Sequence, residues 1–506
     1  MSTWLFRLEE EDGVTPDLAA RAIGLGADGL PIPGRATLEP AGLLRLETRE
    51  SGTAALSLPI DAGPAGVLRL QTTLLPPRTE PYPLLYELAR HRIKLYLAKG
   101  EEWGMFEGEL APDATARFEE ARDLLGRATT EPDPRRSARL ARESLIAGLD
   151  ASERLASAHA RIQIRRKYSG KKVSDASFGL EIDLALPPKL AESRHLEPFG
   201  LVSLPVRWAE IEPSQGRFAF DRLDRWMVAL SRARRRILCG PLVDLSLDFL
   251  PDWVLARRGD ASAVRDAAFA FAEQMVTRYR GAVALWNIAS GLASSASDDD
   301  EVTRAIALVR MASVLVRQLH PEGKILIEIT DPFAERRWMK PEGIGPLRFI
   351  RRIGEEGIHF DSVGLRLVMG ESVEGCRDLA ELAALADRFV NPERHVVVTA
   401  LGAPSEPCAG DPSGWHGAWD PLRQAAWLGE ALPILLARPR FTAVAWSALL
   451  DRADHPGRAG LYDASGRAKP AASRFEAIRE ALRGEALELP DGLFQAHRPT
   501  SPRVER

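Results

Sequence analysis

The chain runs to 506 residues, 45% of them hydrophobic and 27% charged, which leaves room for two to four domains at roughly 150 residues each. A formal net charge of -4, from 67 basic and 71 acidic residues, gives no basic excess to support nucleic-acid binding. No run reaches the ~20 apolar residues of a membrane span, and the opening MSTWLFRLEEEDG has neither the basic start nor the apolar run of a secretory leader, so a cytoplasmic protein is expected.

Residues 1–78 are rich in Gly, Pro and alternating apolar positions. Leu43–Thr48, Ala54–Leu58 and Gly66–Thr72 read as short strands between turns, which predicts a small β-sandwich or half-barrel. Residues 79–168 change to helical spacing, with Leu84, Leu85, Leu88, Ala89, Ile93 and Leu97 on one stripe. Ala114–Leu125 and Arg135–Arg165 continue in the same period around the breaker Thr130-Glu131-Pro132-Asp133-Pro134. This predicts a helical hairpin or linker whose mixed charges mark a solvated face.

Residues 169–485 hold eight apolar, β-rich runs: Phe178–Leu184, Leu201–Arg207, Ile237–Leu245, Val283–Ala289, Ile325–Ile329, Ser362–Leu367, Val396–Leu401 and Ala443–Ala448. Helical patterns such as Leu223–Ala233, Ala263–Tyr279, Val302–Leu319, Leu379–Phe389 and Leu422–Leu436 alternate with them. Strand and helix repeated in this way require parallel pairing. Eight near-equal units without a Gly-rich phosphate turn predict an α/β fold, a closed (β/α)8 TIM barrel, rather than an open doubly wound sheet. Residues 486–506 read as a tail.

Active sites of such barrels lie at the C-terminal ends of the strands. Past the second run stands Arg207-Trp208-Ala209-Glu210-Ile211-Glu212-Pro213-Ser214-Gln215-Gly216-Arg217-Phe218-Ala219-Phe220, followed by Asp221, Asp224 and Trp226. This segment resembles the second-strand motif of family 10 glycoside hydrolases, the endo-β-1,4-xylanases. Gly240 to Trp253, Arg278-Tyr279-Arg280-Gly281 with Trp286-Asn287, and Trp446 with Gly460-Leu461-Tyr462-Asp463 and Lys469-Pro470-Ala471 match further family segments in the same order. The resemblance spans roughly residues 177 to 482.

That family cleaves glycosidic bonds by the retaining route, with one carboxyl as acid/base and a second as nucleophile about 5–5.5 Å away. Carried over by position, the acid/base falls on Gly291, the Asn before it on Ser290, and the nucleophile on Ala400. Arg366-Leu367-Val368 stands where the family has a Gln and a His on strand six, and Pro241 stands for the first His of the third-strand motif. Neither Gly nor Ala can donate a proton or attack carbon, and loss of a general acid alone costs about 100- to 10,000-fold in rate. The resemblance therefore implies a carbohydrate-related barrel that has lost hydrolysis and binds a β-linked, xylan-type glycan.

Carboxylates nonetheless cluster near strand ends: Glu181, Asp183, Glu210, Glu212, Asp244, Asp248, Glu328, Asp331, Glu371, Asp451 and Asp454. Asp244 with Glu328 is the candidate for a relocated catalytic pair, which would make the protein an active O-glycosyl hydrolase. The candidate glycan-binding set is Trp208, Glu212, Asp244, Trp253, Asn287, Arg366, Trp415, Trp419 and Trp446. Within it, the Gly/Trp-rich stretch Pro412–Trp419 is expected to be a ligand wall after strand seven. His416 and His455 are the best placed of the nine histidines. No His or Cys spacing supports a metal site, no motif implies a cofactor, and Cys239, Cys376 and Cys408 read as reduced thiols. A scaffold or interaction protein without a sugar ligand is the third reading, since fold does not fix function.

Overall fold

The computed structural model describes residues 2–9, 14–40, 42–49, 52–295, 298–335, 343–370, 375–452, 457–484 and 487–489. The chain begins with a two-layer β-sandwich. One sheet has the order β3-β4-β1-β7, from Gly34–Glu39, Leu43–Thr48, Ser2–Arg7 and Tyr82–Pro83. The other has the order β15-β6-β5-β2, from Gly414–Trp415, Gly66–Gln71, Ala55–Asp61 and Ile23–Leu25. In the first sheet the period-two pattern faces Trp4, Phe6, Leu44 and Leu46 inward. In β5 the alternation disappears because Ala55 through Ile60 are buried on both faces, which makes this sheet the middle layer.

The second sheet departs from the sequence expectation, because one of its strands comes from the far end of the chain. Gly414–Trp415 pairs antiparallel with Gly66 and Val67 across a very close approach. A Cβ on Gly66, whose φ is +96°, would stand 2.1 Å from the Gly414 carbonyl oxygen, so only glycine is tolerated there.

Three helices follow: α2 (Leu84–Glu102), α3 (Pro112–Thr130) and α4 (Pro134–Lys167), the short α1 (Pro16–Ala19) lying within the sandwich segment. Asp133 caps α4 by accepting from the Arg136 amide, and Pro134 opens its first turn. The helices carry a solvated charged face and, opposite it, a deeply buried one. Along its 34 residues α4 buries Leu145, Leu149, Leu155, Ala156 and Ile164, and with them Glu153 and His159. Its far end is pinned to the barrel by the Lys167 ammonium, which donates to the carbonyls of Leu436, Arg438 and Phe441 at 2.7–2.8 Å. Its middle is tied there by Ser157, which donates to Glu430 at 2.7 Å.

The barrel closes as predicted, with eight parallel strands: β8 (Phe178–Glu181), β9 (Leu201–Pro205), β10 (Arg236–Gly240), β11 (Val283–Ser290), β12 (Lys324–Ile329), β13 (Ser362–Val368), β14 (His395–Gly402) and β16 (Phe441–Trp446). Leu201, Leu238, Leu285, Leu326, Val397 and Ala443 meet inside it as a plug near the strand starts. The outer helices present apolar stripes to the sheet. Asp221–Arg232, for example, buries Leu223, Trp226, Met227 and Leu230 at helical spacing, each worth roughly 1.5–3 kcal/mol.

Candidate functional site

The mouth of the barrel is built around the end of β11. Past β10 the chain keeps company with that strand, because the Val243 amide donates to Ile288 and the Ser290 amide to Val243. This carries Asp244 to the side of Gly291. A Cβ on Gly291 would lie 3.5 and 3.6 Å from the two Asp244 carboxylate oxygens and 3.6 Å from the Thr330 hydroxyl. The place the resemblance assigns to an acid is thus empty of side chain and walled by another strand's carboxylate. Gly291 itself sits at φ +66°, in the left-handed region that glycine tolerates best.

Glu328, on β12, flanks the same spot. Its carboxylate accepts from the Ser290 hydroxyl at 2.6 Å and from the Asn287 side-chain amide at 3.3 Å. Asn287 is buried, and its Oδ1 has no hydrogen-bond partner among the described residues. Burial raises Asp244 from its ordinary aspartate value, against hydrogen bonds from the amide and hydroxyl of Ser246 and with a smaller upward push from the Glu328 charge. Asp244 and Glu328, the candidates for a relocated pair, thus both border Gly291. A cavity of about 20 Å³, room for roughly one water, is lined there by Gly291, Glu328, Thr330 and Asp331.

The opposite rim carries no such pair. Ala400, at the end of β14, is fully buried, and its register partner is Arg366 on β13. Arg366 donates to Glu181 of β8 at 2.9 Å, so the two half-buried charges close one side of the mouth against each other. Asp183 is paired with Arg452. Asp451 is held by Lys469, which also donates to the Ser405 hydroxyl and the Arg458 carbonyl. Glu371, Asp454 and His455 lie outside the described residues.

The aromatic candidates fare differently from the expectation. Trp208 is buried, stacks on Phe271 and donates to Glu212 at 2.8 Å. Glu212 spends its other oxygen on the Gly216 amide and is 4% exposed, which makes it a strut of the loop rather than a ligand contact. Trp446 is buried with its indole donating to the Ala459 carbonyl. Trp253 alone of the set is half-exposed, standing edge-on to Trp208 with its indole on the Glu212 carbonyl.

The expected ligand wall after β14 is a correction of a different kind. Trp415 is wholly buried and Trp419 nearly so, the latter edge-on to Trp427. Glu153 of α4 draws the loop away from the mouth: its carboxylate accepts from the Trp415 indole at 2.7 Å, the His416 imidazole at 2.8 Å and the Leu379 amide at 3.0 Å. Buried charges continue this seam. Arg92 of α2 makes a two-pronged ion pair with Asp378, and Arg377 pairs with Glu335 at 2.5 Å. The loops after β12, β13 and β14 all meet the sandwich: Gly345 packs on Leu30, Cys376 accepts from the Arg69 amide, and Gly414 pairs with Val67. Neither Glu153 nor Arg92 was singled out from the sequence, where nothing distinguishes them from the other charges of an Ala/Glu/Arg helix.

Among the described residues no cluster of three or more His, Cys, Asp or Glu side chains could hold a metal ion. The three cysteines are buried and separate, and burial pushes the Cys239 thiol up to about 12. Among the described residues no helix is long and apolar enough to cross a membrane.

No protein-family model matches the chain, and no curated protein does. Solved structures similar to it include xylanase 10B from Thermotoga maritima, at 14% identity and TM-score 0.49 over 63% of this chain and 97% of that one. A GH10 enzyme from Paenibacillus barcinonensis has 17% identity and TM-score 0.47 over 63% and 96%. The intracellular xylanase TsXylA from Thermoanaerobacterium saccharolyticum has 14% identity and TM-score 0.46 over 62% and 96%. The (β/α)8 assignment stands on this chain's own strand order and closure.

Proposed function

We propose that the protein is a divergent barrel of the family 10 xylanase type that has given up hydrolysis and binds a short β-linked oligosaccharide at its mouth. The observation that carries the first half is the absence of a carboxylate at both catalytic positions. Gly291 has no side chain, and Ala400 is buried where no sugar can reach it. The second half is supported by the half-buried polar rim of Asp244, Glu328 and Arg366, with the buried Asn287 donating to Glu328 behind it and Trp253 as the remaining half-exposed ring. Hydroxyl groups of a neutral sugar suit such a rim. The loss of Trp208, Trp415, Trp419 and Trp446 from the platform favours a short ligand over a long stacked polymer. Titration calorimetry with xylo-oligosaccharides should show binding that weakens at least tenfold in the R366A and N287A variants, while xylan and aryl β-xylosides are not turned over. Absence of binding across the series would leave the scaffold reading in its place.

One observation favours an active enzyme instead: Asp244, raised in proton affinity, stands beside the Gly291 position that Glu328 also borders, close enough to feel its charge. Such an environment can divide two carboxyls into acid and base. Turnover of an aryl β-glycoside that disappears in both D244N and E328Q would establish this reading and overturn the first.

A further inference from the structure

The loop after β14 has a design that sugar binding does not use. Glu153 joins three elements at one carboxylate: α4 through its own backbone, the loop through Trp415 and His416, and the helix Leu379–Arg388 through its first amide. His416 is held there in a left-handed backbone conformation, φ +54°, which is uncommon for a side-chain-bearing residue and needs its surroundings to hold it. Its amide donates to the Ala65 carbonyl of the sandwich, and its carbonyl accepts from Arg423 of the helix Pro421–Ala437. A second tether sits five residues earlier, where Asp411 pairs with Arg21 at 3.2 Å.

We infer that residues 403–420 form a proton-responsive latch that fastens the sandwich and helices to the barrel, tight while the His416 imidazole is charged opposite Glu153 and looser when it is neutral. The charged groups around the imidazole are Glu153 and Asp150 from α4, Asp378 at the head of the helix Leu379–Arg388, and Arg423, itself paired with Asp420. Burial works against the charge, but the three carboxylates outweigh it and His416 titrates above the ordinary imidazole value. The sign follows from linkage: a group whose affinity for protons rises on closure strengthens the closed state at low pH and ceases to do so as pH rises through its closed-state value. Loss of the charge leaves a neutral N–H on the Glu153 carboxylate and removes the Coulombic attraction between the two groups. Opening would expose the Gly66–Val67 end of the β6 edge, while Cys376 keeps hold of Leu68 and Arg69.

Hydrogen exchange of the full chain at pH 6 and pH 9, corrected for intrinsic rates, tests this. Protection in residues 62–71 and 410–420 should fall relative to β14 as pH rises, by about tenfold for each unit separating the closed and open His416 values. H416N keeps a donor, tolerates the left-handed backbone and cannot titrate, so its latch should show no such slope. Equal protection at both pH values in the wild type, or the wild-type slope in H416N, would overturn the latch. If H416N does not fold, the titration of His416 followed by NMR in the wild type decides: a midpoint at or below that of a free histidine overturns it too.

Discussion

Ala400 and Gly291 differ in how much a restored carboxylate would disturb. Glu at position 400 would force a larger, charged side chain into a fully buried site beside Arg366, which is already committed to Glu181, so A400E should lose about 3 kcal/mol or more of stability in urea unfolding and gain no activity. Position 291 opens onto a cavity, but Asp244 is only 3.5 Å from a Cβ there. G291E should therefore raise the proton affinity of Asp244 further by like-charge repulsion, visible as an upward shift of that carboxyl in an NMR titration. The histidines divide by sign. Burial first of all holds His91 down to about 3 and His159 to about 4, so the unfolded chain takes up their protons near 6.5 while the folded chain does not. Stability should therefore fall as pH drops from about 6.5 toward 4, and H159Q should flatten part of that slope in melts at stepped pH. His416 contributes in the opposite direction, since its proton affinity is raised in the fold.

At the level of elements, the eight barrel strands were legible because each βα unit advertises itself locally: an apolar run, a turn, a helical stripe. That Asp244 and Glu328 lie near strand ends was legible for the same reason, since closure brings those ends to one mouth. The two-residue strand Gly414–Trp415 was not, because no periodicity can be read in two residues and its partner is a glycine far upstream. The burial of Trp415 was hidden likewise, because the carboxylate that receives its indole stands 262 residues away. A Gly/Trp-rich loop looks the same in sequence whether it faces a sugar or a neighbouring sheet. The close crossing at Gly66 makes a sharp test. G66A forces an ordinary residue into a left-handed conformation, worth about 1–2 kcal/mol, and adds a clash with the Gly414 carbonyl. It should lower the thermal midpoint well beyond a surface Gly-to-Ala change.

Over the whole molecule, sandwich, helices and barrel share one continuous buried cluster that runs from Trp4 to Leu482. Buried ion pairs such as Arg92–Asp378 cross it, and removal of one partner of such a pair costs about 3–5 kcal/mol. Unfolding should accordingly be a single transition by calorimetry and by fluorescence. A fragment beginning at residue 169 should fail to fold, since it leaves Asp378, Asp387 and Glu430 without the partners that α2 and α4 supply. The strand borrowed from position 414 also sets an order of events on the ribosome. The partner of Val67 is translated about 350 residues after it, which at about 5–20 residues per second is tens of seconds. Throughout that interval the nascent amino-terminal sheet has a bare edge, the kind of surface on which neighbouring chains add strands, so this protein's yield in cells should depend on chaperone supply more than its finished stability suggests.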